Sequence, residues 1–116
     1  MAVTADDLWT HLSGGTTTAA PPERVDDLER VLGSAVAAIT PHLIGDAGIW
    51  TPDQVAALDT ATLRAAAELW RWQQSSTGEY GYADGFDVPV GGYRDVFYTV
   101  QPLLAHAGLV NPAVVA

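Results

Sequence analysis

The side chains that could do chemistry in this chain are few and stand far apart. The three histidines, His11, His42 and His106, lie in separate segments, and none has an Asp or Glu at a spacing that would complete a set of metal ligands. The sequence has no cysteine, which excludes thiolate metal sites, disulfides and cysteine nucleophiles. We therefore predict no metal ion and no cofactor, and we interpret His11 and His106 as surface or capping residues near helix ends.

The carboxylates and glycines form no catalytic pattern either. Asp6 and Asp7, like Asp26 and Asp27, are adjacent in sequence, so their side chains point to different sides of a helix. Such acids are typical of the positively polarised first turn of a helix, and they do not form the facing pair that general acid–base catalysis needs. The stretch 78–82 (GEYGY) neither follows a strand nor opens a helix, as a phosphate-binding loop does, and no Gly-x-Ser-x-Gly is present. We predict that the chain is not an enzyme.

Length and charge narrow the class of protein. A chain of 116 residues, 48% hydrophobic and 16% charged, fits a single folded domain over residues 1–116. The net charge of −9, with five Arg and no Lys, argues against binding nucleic acid or an anionic membrane surface. No apolar run approaches the roughly 20 residues of a membrane span. The first seven residues lack the features of a secretory signal, so the default compartment is the cytoplasm of the producing cell.

Proline, glycine and capping residues divide the chain into elements. They predict a mainly α fold, a small bundle of about four helices over 4–12, 21–40, 51–74 and a last segment that ends before Gly108. Thr51 begins the third helix with a capping box completed by Gln54. Pro102 leaves two alternatives for the last helix: it kinks there, or residues 95–100 are extended and the helix starts near Pro102.

The predicted connections differ in composition. Residues 13–20 are small and polar, which suits a flexible linker, and 109–116 form a short apolar C-terminal tail. Residues 75–92 form a long Gly- and Tyr-rich loop, in which 87–92 could be one arm of a short β-hairpin. A loop of this length in a small domain is uncommon unless it is functional or disordered, and glycine with tyrosine suits an adaptable binding loop as well as an ordinary connection.

Apolar residues at three- and four-residue spacing mark the faces expected to be buried. On the second helix they are Val25, Leu28, Leu32, Ala35, Val36 and Ile39. On the third they are Val55, Leu58, Thr62, Ala65, Ala66, Leu69 and Trp72, widened by Leu63, Ala67 and Trp70. The breadth of this second set predicts that the third helix packs on more than one side.

The aromatic residues are the best candidates for contacts with partners. Trp70 and Trp72 stand two apart on one helix, so one is expected in the core and the other half exposed, or one anchors a subunit interface. We interpret Trp50 as a hydrophobic staple on Val55. The candidate partner or subunit interface comprises Trp70, Trp72, Tyr80, Tyr82, Phe86, Tyr93 and Arg94.

The order of these features resembles a known family. A short helix, an amphipathic helix, a proline break and a long Ala-rich helix ending in 68–72 (ELWRW) precede a Gly-rich stretch, then 93–96 (YRDV) and 102–104 (PLL). Over about residues 5–109 this pattern is similar to the small head-to-tail connector (adaptor or head-completion) proteins of tailed bacteriophages, especially those of actinobacteria.

The resemblance implies a mostly helical virion protein without catalytic residues. It implies a homo-oligomeric ring, commonly of twelve subunits, beneath the portal protein, which lets DNA pass and offers a docking surface to a head–tail stopper or tail protein. Such a protein is assembled in the cytoplasm of the host bacterium and ends in the virion. The acidic charge would then let DNA slide without sticking, because like charges prevent tight phosphate contacts.

Two alternatives stay open beside this reading. One is another phage-encoded tail-completion or packaging accessory protein. The other is a cytoplasmic acidic helical binding module, antitoxin-like or anti-repressor-like, whose charge would suit a basic partner.

Overall fold

The structure is a computed structural model, and it describes residues 3–17, 19–75 and 96–111. These residues form the α-helices α1 (Ala5–Leu12), α2 (Val25–Ile39), α3 (Pro52–Ser75) and α4 (Val96–His106). Short 3-10 turns occupy Pro22–Arg24, Thr40–His42 and Ala47–Ile49. The predicted mainly α bundle is confirmed, and the described residues contain no strand. The alternative hairpin at 87–92, like nearly all of the predicted loop, lies outside the described residues.

Helix α1 begins and ends where the sequence predicts. The Asp7 backbone N–H donates to the Thr4 hydroxyl at 3.1 Å, and the Thr4 N–H donates to the Asp7 carboxylate at 3.0 Å, a reciprocal capping box. At the other end Gly14 and Gly15 have φ of 71° and 88°. Because these conformations suit glycine, the chain can turn back and the Gly15 N–H can reach the Thr10 carbonyl at 2.9 Å.

The described residues of the segment predicted as a linker are tied back to α1. The Ala20 N–H donates to the Asp6 carboxylate at 2.8 Å. The Ser13 hydroxyl donates to the Thr10 carbonyl at 3.1 Å, and the Thr16 hydroxyl donates to the Ser13 carbonyl at 2.9 Å. These bonds bring the approach to α2 alongside the first turn of α1.

Helix α2 buries a stripe shifted from the predicted one. Leu28, Leu32, Ala35 and Ile39 are buried as expected, but the prediction for Val36 is wrong, since it is 43% exposed. Val31, which the prediction omitted, is 4% exposed. At 100° per residue Val31 and Val36 each lie about 40° outside the arc of the four expected residues, on opposite sides, so the neighbouring helices cover the Val31 side and leave the Val36 side exposed.

Helix α3 is fixed at its start by a residue that serves two helices. The Gln54 N–H donates to the Thr51 hydroxyl at 3.1 Å, and the Gln54 side-chain carbonyl accepts from the Thr51 N–H at 2.9 Å, which confirms the predicted capping box. The other end of the same amide, Nε2, donates to the Ala107 carbonyl at 3.1 Å. Gln54 thus joins the start of α3 to the end of α4 and satisfies a carbonyl that α4 leaves unpaired.

Helix α4 continues through Pro102, so the alternative in which the helix starts near that residue is wrong. Proline removes the N–H that would bond to the Tyr98 carbonyl, and its ring crowds that carbonyl, but both Pro102 and Tyr98 lie on the exposed side of the helix. The helix ends in a Schellman motif: Gly108, with φ of 79°, donates to Ala105 at 3.0 Å, and the Leu109 N–H donates to Leu104 at 2.9 Å.

The chain after Gly108 enters the core before it leaves the described region. Leu109 and Val110, which the sequence analysis placed in the tail, are 0% and 3% exposed. The Leu109 carbonyl accepts from the Ile44 N–H at 2.8 Å, which ties this segment to the turn after α2. Residues 112–116 lie outside the described residues.

The core lies where α3 packs against both α2 and α4, with α1 placed against α2 and α3. Buried alanines on α3 let the neighbouring helices approach its backbone closely. They are Ala61, Ala65, Ala66 and Ala67, all 0% exposed. Packing of α3 on more than one side is therefore confirmed. Within the described parts of the chain, no helix has the length and apolar character needed to cross a bilayer.

Two glycine-to-alanine substitutions are expected to change stability in opposite directions. Gly108→Ala should lower the free energy of unfolding by about 1–2 kcal/mol, because alanine is strained at positive φ. Gly33→Ala should raise it by about 0.5–1 kcal/mol, since Gly33 lies inside α2 and an added Cβ would meet nothing within 4 Å. Urea unfolding followed by circular dichroism measures both, and a shift of the same sign in the two variants would contradict the backbone assignment.

Candidate interaction surface

Trp70 belongs to the interior of the bundle. It is 7% exposed, and its ring meets Trp9 edge-on, with centroids 6.4 Å apart and planes at 88°. The guanidinium carbon of Arg24 lies 5.8 Å from the Trp70 ring centroid, a cation–π contact. Trp70 therefore joins the end of α3 to α1 and to the turn that opens α2.

Trp72 is half-buried and packs against the edge of the core. The interpretation that one of the two tryptophans is core and the other only partly buried is confirmed. The remaining residues of the predicted interface, Tyr80, Tyr82, Phe86, Tyr93 and Arg94, lie outside the described residues. Trp50 is also partly buried, and its indole nitrogen lies 3.4 Å from the position of a Cβ added to Gly45.

A surface groove opens between α2, α3 and α4. Its volume is about 460 Å³. It is lined by Arg30, Val31, Ser34, Ala38, Leu69, Gln73 and Val96. We call it the α2–α4 groove. Its apolar lining belongs to residues that also build the core, while polar side chains stand at its rim.

Among the described residues that line the α2–α4 groove, Arg30 is the charged one. Its guanidinium pairs with Asp27, one helical turn earlier, and the two side chains are 62% and 42% exposed. A pair at this exposure contributes only about 0–1 kcal/mol to stability. On α3 a second pair of the same spacing, Arg71 with Glu68 at 3.7 Å, has similar exposure, but neither residue lines the groove.

Aromatic rings hold the turn after α2 against the start of α4. The His42 ring stacks on Phe97 with centroids 3.7 Å apart and planes at 12°. Tyr98 meets Phe97 at 5.4 Å and 67° and is itself 60% exposed. Phe97 is buried, so its contact with His42 is structural, whereas Tyr98 presents its ring to solvent.

The described residues contain no group of three His, Asp or Glu side chains that could hold a metal ion. Asp59 carries the one buried side-chain oxygen, Oδ1, that finds no hydrogen-bond partner within the described ranges.

The groove was not predicted, although the residues of its α2 wall recur at a regular spacing in the sequence. Arg30, Ser34 and Ala38 recur every four residues beside the buried stripe, a row of short or flexible side chains. Arg30 and Ser34 lie outside the apolar stripe predicted for this helix. Only the packing of α4 against α2 and α3 turns this row into the wall of a groove.

No family model, curated protein or solved structure matches this chain.

Proposed function

We propose that the protein is a structural subunit of a tailed-bacteriophage head-to-tail connector. In this role it is a virion component assembled in the host cytoplasm. Copies form a ring, dodecameric as in the family it resembles, between the portal protein and a head–tail stopper or tail protein. DNA passes through the ring without specific binding, and the protein performs no catalysis.

One observation supports this proposal: the described residues are mainly helical, as the resemblance implies. The short α1 and amphipathic α2 come first, and α3 runs through residues 68–72 (ELWRW). Helix α4 then includes 102–104 (PLL). This order of helices is the pattern on which the resemblance rests.

The negative charge of the chain supports the proposal that DNA passes through the ring. Acidic side chains exposed along α1 and α2 give the start of the bundle a negative surface. They are Asp6 and Asp7 on α1 and Asp26 and Glu29 on α2, with Glu23 in the turn before α2. A channel wall of this charge repels phosphates and keeps DNA mobile. If an assembled ring placed these acids on its outer surface, this part of the proposal would be wrong.

Native mass spectrometry over a concentration range, followed by incubation with portal-bearing heads, tests the proposal. We expect a discrete large ring, or a monomer that heads carrying the portal retain and heads lacking it do not. Deletion of residues 80–86 is expected to weaken retention while the helical circular dichroism signal is preserved. A dimer or tetramer that does not bind portal-bearing heads would contradict the connector role.

The same experiment distinguishes the alternatives. A tail-completion or packaging accessory protein would bind virion components without forming a ring. An acidic binding module would stop at a small oligomer and bind a basic partner, which the negative surface of α1 and α2 favours.

A further inference from the structure

We draw no further inference here: the strongest candidate, the α2–α4 groove, carries nothing because Arg30 at its rim is exposed and already paired with Asp27, and nothing among the described residues shows what occupies the groove.

Discussion

Replacement of Trp70 by alanine is expected to lower the free energy of unfolding by about 3–5 kcal/mol. The indole is 7% exposed and joins three separate parts of the chain: α3, Trp9 on α1, and Arg24 before α2. Alanine would remove the buried area, the edge-to-face contact and the cation–π contact together, and would leave a cavity that the bundle cannot fully close. Chemical denaturation monitored by circular dichroism measures the loss.

Arg71→Ala is the control for this substitution because it changes the next residue of the same helix. Arg71 is 59% exposed and its pair with Glu68 lies at the surface, so the expected loss is below about 1 kcal/mol. The loss of stability in Trp70→Phe should lie between the losses in Trp70→Ala and Arg71→Ala. A loss below about 1 kcal/mol for Trp70→Ala, or one that depends on protein concentration, would instead point to the subunit-interface interpretation of this tryptophan.

The second large effect is expected from enlarging Ala66. Ala66→Leu adds three heavy atoms at a position that is 0% exposed and lies where helices pack against α3. Because a packed interior has no room for them, the helices must move apart or adopt strained rotamers, at a cost of about 1–3 kcal/mol. Thermal and urea unfolding both report this loss.

Ala56→Leu makes the same chemical change on the exposed side of the same helix. Leucine and alanine differ by only a few tenths of a kcal/mol in helix propensity, so the stability should change by less than about 0.5 kcal/mol. Equal losses in the two variants would show that the effect arises from helix propensity, and would contradict the close packing at Ala66.

The local signals of the sequence predicted the helix boundaries because they act over three or four residues. The predicted capping box of Thr51 with Gln54 is confirmed, and the structure adds one of Thr4 with Asp7 at the predicted start of α1; both use side chains one turn apart. Gly108 ends α4 because glycine adopts the positive φ that this turn needs without a clash of a Cβ. None of these interactions depends on the rest of the fold.

Features that depend on how the helices pack against one another are predicted less well from the sequence. Val36 matched the apolar spacing of α2, yet the arc covered by other helices excludes it and includes Val31. Pro102 left two alternatives for α4, and the exposed position of its ring explains why the helix continues. Leu109 and Val110 followed a glycine stop and were assigned to a tail, but the Schellman turn directs them into the core.

By itself, then, the sequence determined the helical class, the ends of the helices and the acidic surface, because capping, glycine and proline geometry and charge are local or compositional. The tertiary structure alone decided that Gln54 joins α3 to α4, that Trp70 lies against Trp9 and Arg24, and that Arg30 stands at a groove. These contacts join residues that are distant along the chain. They follow from how the helices pack, which no short stretch of sequence specifies.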